Sequence, residues 1–469
     1  MRQPDLDAQR IGLLLFRLSF PAMVGMVLYS MFSLVDTYFV ARLGSAALAA
    51  LTLGIPLQVL ISSLAYATGV GLTSLISRTL GQGDVRQGDN VAWHGLIAGI
   101  IYGVGFSLLG WVYLDQMLVY FGCTADTYEL CREYLQIILF GCIFTFILII
   151  LENIVQGEGN TVLPMAIGLV GIILNVLFDP LLIFGLGPIP ALGMRGAAWA
   201  TVLAEMISAV VLIGIVVKQR RLLSWDWQNF RPSLRVLKGI YGVGFPSLLM
   251  ELAWVFTITI LNRTVAVYGF EAVAALGIFS RVRSFCLTPV FGLAQAALPV
   301  AAFAHGAGKV ERVKETLVKS AVIGFVLLLL IVVLMQSYPE WIISWFSQDE
   351  ALKEAGVIGI CLATLGFPAL GIVFIVSTVL QALGKGVKAM MFALLRHLGL
   401  FLPLLLVLPG LFGLNGVWLA FSLSELASAL LALAFAVNLW QELPGRRPVA
   451  MLMLLRPGYW WRRTLAWIK

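Results

Sequence analysis

Two carboxylates lie deep in apolar sequence, where a charge is costly: Asp36 and Asp179. Asn175 precedes Asp179 by four residues, which puts both on one face of a helix, and Thr201 adds a hydroxyl in the next apolar segment. An acid at the centre of a membrane helix costs about 2.5–3.5 kcal/mol on insertion scales, so each needs a reason to be there. Two carboxylates, an amide and a hydroxyl are oxygen donors of the kind hard cations take. They suit Na⁺, which would make Asp36, Asn175, Asp179 and Thr201 its ligands, and the same acids can carry a proton. Pro180 cannot donate to the carbonyl of residue 176, which leaves one more oxygen free nearby. Two acids close together in low dielectric do not both stay charged unless a cation lies between them. This is the chemistry of ion coupling.

The elements that must hold these groups are membrane helices. The 469 residues are 60% hydrophobic and 12% charged, whereas a soluble domain is about a quarter charged. About twelve apolar segments, from 13–41 to 414–440, offer the roughly 20 residues that a span needs. The fold class is therefore an all-α polytopic membrane protein. Lys and Arg gather at alternate breaks: Arg78 and Arg86, then Arg231, Arg235 and Lys238, then Lys309 and Arg312, then Lys385 and Lys388. The opposite breaks hold acids such as Asp126, Glu129 and Glu340. By the positive-inside rule both termini are expected in the cytoplasm, with the chain in the cell's inner membrane. The net charge of +7 is then a topology signal and calls for no nucleic-acid partner. The opening MRQPDLDAQRIG has no signal-peptide pattern. None of the five cysteines has metal-ligand spacing, but Cys123 and Cys131 share an outer loop where a disulfide could form. His94, His305 and His397 read as lying at or near cytoplasmic edges, without metal partners.

Displaced by about 225 residues, the chain matches itself. Phe20-Pro21 meets Phe245-Pro246, Gly83-Asp84-Val85 meets Gly308-Lys309-Val310, and Gln156-x-x-Gly159 meets Gln381-x-x-Gly384. Near the end of each half the offset falls to about 220, and Gly196, Ala200 and Glu205 meet Gly416, Ala420 and Glu425. The expected organisation is an N-terminal six-helix lobe (1–217), a basic linker (218–238), a pseudo-symmetric C-terminal six-helix lobe (239–440) and a basic tail (441–469). Transporters with parallel repeats bind between their halves. The repeat also sorts the buried acids. Glu205 and Glu425 recur, which suits a shared structural role. Asp36 faces Leu261, Asn175 faces Leu400, Thr201 faces Phe421, and Asp179 faces the leucines at 404–406. A scaffold role should have survived in both halves, so the polar cluster reads as one coupling site in the N-terminal half. Counting residues from the helix ends puts Asp36, Asp179 and Thr201 at one depth, about 8–11 Å below the outer boundary.

Three further readings come from the residues. Pro21 lies mid-helix, fifteen residues before Asp36, where a missing hydrogen bond allows a bend. Met26, Tyr29, Met250 and Trp254 offer the adaptable wall that a promiscuous cavity uses. Glu251 could draw in a cationic substrate from the second half.

The two-times-six layout, Gln156-Gly157-Glu158-Gly159-Asn160 with Pro164-Met165, Asp36 and Asn175-x-x-x-Asp179 together resemble the multidrug and toxic compound extrusion (MATE) family over roughly residues 10–440. The resemblance implies a V-shaped pair of lobes that exports small amphipathic, cationic drugs or toxins by antiport with H⁺ or Na⁺ and uses no cofactor. It also implies that the positions matching Asp36, Asn175, Asp179 and Thr201 form the cation site, with the carbonyl of Ala197 as a further ligand. Some members carry a helix-7 acid where this chain has Trp254, and a helix-10 acid, whereas residues 362–380 hold none. A lipid-linked precursor flippase of the same superfamily is the alternative. No clustered catalytic motif points to an enzyme. Oligomeric state is not written in the sequence.

Overall fold

A computed structural model describes residues 10–185, 190–219, 222–346 and 350–443, with the backbone alone for residues 29–34, 125 and 351. Arg220, Arg221, Asp349 and nearly all of the expected basic tail lie outside the described residues. Among the described residues everything regular is helical: α1 Ile11–Ala41, α2 Ser45–Gly81, α3 Val85–Tyr120, α4 Ala125–Gly157, α5 Val162–Ile183, α6 Met194–Gln219, α7 Leu234–Ala266, α8 Phe270–Gly306 and α9 Val310–Ser337. A short α10 (Pro339–Ser344) follows, then α11 (Glu350–Ala363), α12 (Phe367–Ala382), α13 (Gly386–Leu394), a π-helical stretch Leu395–Phe401, α14 (Leu402–Phe412) and α15 (Leu414–Glu442). Among the described residues eleven spans are long and apolar enough to cross a membrane. The bent pair Leu352–Ala363 and Phe367–Ala382 makes a twelfth, broken by 54°.

The turns show why the repeat was visible. Gly44 and Gly269 (φ 115° and 101°), Gly83 and Gly308 (79° and 70°), Gly159 and Gly384 (82° and 74°), and Gly193 and Gly413 (56° and 58°) take left-handed backbone at matched places. Only glycine does so without strain, so the repeat preserves the hinges between helices. The Asp84 side chain caps α3 by accepting from Gln87 N (2.9 Å), and Thr124 with Thr127 forms a capping box at α4.

Packing divides the molecule into two lobes that are joined at one end. At the face carrying the 120–125 and 266–270 turns, one core is built only from residues between Val40 and Val202 and another only from residues between Ile258 and Phe421. At the basic face the cores mix: Ile11 and Leu15 pack with Leu293, Val313 and Val376, and Leu72 and Ile76 pack with Val236 and Ile240. Backbones touch there. A Cβ at Gly306 would stand 2.0 Å from the Arg78 carbonyl oxygen, and one at Gly71 would stand 2.2 Å from that of Ile240. Ser74 Oγ donates across the lobes to Gln381 O (2.7 Å). The cleft is therefore closed at the basic face and open at the other. Helices α1 and α7 each start against the opposite lobe and finish in their own, and Pro21 and Pro246 lie at those crossings.

The chain between α6 and α7 is strapped to the N-terminal lobe. Glu158 accepts from Leu222 N (3.2 Å) and Leu223 N (2.9 Å). Asp89 accepts from Trp225 N (3.1 Å), from Asn229 Nδ2 (2.7 Å) and from the Ser224 hydroxyl. His94 Nε2 accepts from Ser233 N (3.0 Å). Cys123 and Cys131 are both free thiols, as are the other three cysteines.

Candidate functional site: an acidic N-terminal lobe and a basic C-terminal cavity

Helices α5 and α6 lock together because Gly196 has no side chain: a Cβ there would meet the Leu182 carbonyl oxygen at 2.3 Å. That contact sets Thr201 opposite Asn175. In the amide orientation that gives each end a partner, Asn175 Nδ2 donates to Asp179 Oδ2 (2.8 Å), and Asn175 Oδ1 accepts from the Thr201 hydroxyl (3.2 Å). The same hydroxyl lies 3.3 Å from the Ala197 carbonyl oxygen, so its single proton is shared between two acceptors. Asn175 is 2% exposed and Asp179 0%. Asp179 Oδ1 is nevertheless buried without a hydrogen-bond partner. Buried acceptors are almost always paired, and an orphaned carboxylate oxygen is a place for a cation or a proton.

Asp36 on α1 is half-buried and makes no hydrogen bond to Asp179. Sequence reasoning passed over Tyr134. Its hydroxyl accepts from Gln58 Nε2 (2.9 Å), a link between α4 and α2 that no local pattern announces. Glu205 accepts from the Thr145 hydroxyl. The donor set of Asp36, Asn175, Asp179, Thr201 and the Ala197 carbonyl fits Na⁺ by type and fits a proton equally. Pro180 sits inside α5, so residue 176 has no amide donor at the next turn.

The second half is built differently. Glu425 accepts from Arg396 Nε (3.2 Å) and from Arg396 Nη2 (2.9 Å), a two-pronged pair. Arg283 Nη2 stands 3.9 Å from the same carboxylate. These groups back a cavity of about 450 Å³ whose lining includes Met250, Glu251, Trp254, Arg283, Arg396 and His397. Met250, Glu251 and Trp254 therefore share one wall. Met26 on α1 does not line that cavity, and the Tyr29 side chain lies outside the described residues. His397, expected near a cytoplasmic edge, faces the cavity with its ring 5.4 Å from Trp254. Arg396 was missed by sequence reasoning although it is a cation ten residues into a span, which was the signal available.

Known proteins resemble this chain over most of its length. The model of the MatE family matches residues 21–181 and 246–407, one stretch in each half. An FAD transporter from Shewanella oneidensis is 29% identical over 89% of this chain and 92% of its own length. The multidrug export protein MepA of Staphylococcus aureus is 28% identical over 88% and 91% respectively. Among solved structures, an outward-facing conformation of a multidrug resistance MATE family transporter of the MOP superfamily has a TM-score of 0.88 at 26% identity. It covers 94% of this chain and 99% of that one.

Proposed function

The chain belongs to the MatE family, and on that premise we propose that it is a secondary active exporter of small amphipathic molecules, driven by inward movement of H⁺ or Na⁺. Family membership makes it a multi-pass membrane transporter. Antiport and the coupling site are our reading. One observation carries it: the buried, unpartnered oxygen of Asp179, whose other oxygen is held by Asn175. A fixed structural acid would have both oxygens satisfied. The site's absence from the second half supports the same reading, because Leu261, Leu400 and Phe421 stand at the matching positions.

The cationic breaks support a chain in the cell's inner membrane with both termini in the cytoplasm, an orientation in which the open end of the cleft faces outward. In that orientation H⁺ or Na⁺ reaches Asp36 from the outside, and its binding changes the charge between the lobes. One charge crossing about 150 mV supplies roughly 3.5 kcal/mol, enough for a gradient of several hundred-fold in an uncharged substrate. The charge of the substrate does not follow from the relatives, one a multidrug export protein and one an FAD transporter. Membership of a drug-exporting family supports an exporter over the lipid-linked precursor flippase.

The test is dye efflux from proteoliposomes with pH and Na⁺ gradients imposed separately. Export driven by one gradient in the wild type, and by neither in Asp36→Asn and Asp179→Asn proteins of normal fold, is expected. Near-normal gradient-driven efflux by both variants would end the coupling assignment.

A further inference from the structure

We propose that the cavity of the C-terminal lobe binds the oxyanion of an aromatic solute, a carboxylate or phosphate held by Arg283 and Arg396. The inference rests on the exporter reading for its cargo but on separate residues for its site. Two guanidiniums converge on one carboxylate. Arg396 is 7% exposed and Glu425 5%, and their bidentate pairing leaves Glu425 little to offer a second cation. Arg283 stands 3.9 Å away, beyond hydrogen-bond length, and its Nε is buried without a partner. With Glu251 on the same wall the charges balance overall, but the buried Nε of Arg283 is a donor that Glu425 does not fill. A buried donor without an acceptor is costly, and a planar guanidinium offers the fork that carboxylate and phosphate fit.

The walls suit an aromatic body. The guanidinium of Arg283 lies 4.9 Å above the Trp254 ring and that of Arg396 lies 5.2 Å from Phe374. Phe291 packs edge-on against Phe374 with centroids 4.9 Å apart. A volume of about 450 Å³ is within the range of small-molecule sites. Glu251 also lines the cavity, at an exposed position on α7 three residues before Trp254. It disfavours a bare anion there and leaves room for a cationic substituent on the same solute. The repeat argues against a scaffold role for the pair. At an offset of 225, Gln58 stands where the second half has Arg283, and Gly171 where it has Arg396.

The probes are fluorescein and its methyl ester, titrated by fluorescence anisotropy into the full-length protein in phosphatidylcholine nanodiscs. Fluorescein is expected to bind at least tenfold more tightly than the ester. Equal affinities would overturn the proposal without any variant. Arg283→Gln keeps the Arg396–Glu425 pair and should erase the difference, while Arg283→Lys should keep part of it. Discrimination that survives Arg283→Gln would also overturn it. Adding phosphatidylglycerol separates a solute from a lipid headgroup: unchanged affinity supports the proposal, and competition gives the site to a lipid phosphate and overturns it. Asp36→Asn should bind fluorescein normally yet lose gradient-driven export. Normal export by that variant removes the coupling reading and leaves the oxyanion site standing.

Discussion

The two lobes share a scaffold and differ in the sign of what they bury. The N-terminal lobe holds Asp179 beside an amide, Glu205 beside a hydroxyl, and Asp36, with no cation beside any of them among the described ion pairs. The C-terminal lobe surrounds Glu425 with two arginines. What matches between them is glycine at the turns, the helix-crossing prolines and the tight contact that Gly196 and Gly416 each allow, Gly416 meeting Leu408 O as Gly196 meets Leu182 O. A duplicated fold keeps in both copies what folding needs, so an interior group found in only one copy points to a task that needs doing once. Glu205 and Glu425 qualify that rule, because the same acid at the same place has taken a hydroxyl in one lobe and a guanidinium in the other.

The largest expected effect attacks the asymmetry directly. Asp36→Asn and Asp179→Asn should each reduce uphill export to the passive level, a loss on the order of 100-fold given the driving force. The double variant should be little worse than either single, since the two act as a unit. Leu261→Asn, the matched position in the second lobe, should leave ion coupling intact even if it lowers stability. Coupling lost in Leu261→Asn and kept in Asp36→Asn would reverse the assignment of the lobes. Efflux assays in vesicles read both outcomes.

A smaller effect separates the two glutamates. Glu425→Gln leaves the buried guanidinium of Arg396 without its paired carboxylate and should cost about 3–5 kcal/mol. Glu205→Gln exchanges one hydrogen bond for another and should cost about 1 kcal/mol. Thermal unfolding in detergent should show the first variant melting well below the second. Equal shifts would mean that the arginines find other partners, and would weaken the case that Arg283 has donors to spare in the cavity.

Much of this was legible in the sequence because apolar surroundings make a charge conspicuous. Asp36, Asn175 and Asp179 stood out for that reason, and the four-residue spacing of the last two gave the face they share. Arg396 was just as conspicuous in principle. It lies about 15 Å along the axis from the start of α13 at Gly386, well inside the span. His397 was misplaced with it. The break between α11 and α12 had a local cue in Gly366 and Pro368, but hydropathy runs straight through it. The linker strap had none, because Asp89, His94 and Glu158 find partners 64 to 140 residues away. Contacts set by tertiary packing leave no periodic trace.

The third prediction compares the closed and open ends of the cleft. Gly306→Ala forces a Cβ onto the Arg78 backbone, and overpacking of that kind costs about 1–3 kcal/mol. It should loosen the seal at the basic face. Gly277, near the open end, has nothing within 4 Å, and Gly277→Ala should be neutral. With the native cysteines replaced, maleimide labelling of Ser74→Cys reads the seal, since Ser74 bonds across it to Gln381 and Ala382. Labelling should rise with Gly306→Ala by up to about 100-fold, as 1.4 kcal/mol is tenfold, and stay flat with Gly277→Ala. Equal labelling in the two would show that the close backbone crossing does not hold the basic face shut.

The smallest effect concerns the matched prolines. Pro21 and Pro246 each lie where a helix passes from one lobe's packing to the other's. Pro21 leaves the carbonyl of residue 17 without an amide donor. One residue along, Leu18 O accepts from the Thr161 hydroxyl (2.7 Å), so the strained turn is braced from α5. If the prolines serve only these crossings, Pro21→Ala and Pro246→Ala should behave alike, each changing efflux by less than about twofold, with a regained helix bond offsetting altered packing. If helix α1 must bend when the acidic site gains or loses its cation, the pair will split. Pro21→Ala will then lose ion coupling while Pro246→Ala keeps it, because the acids lie on the first half alone. Side-by-side efflux under each gradient distinguishes the two. We expect them to match, since a feature present in both copies should serve the fold they share.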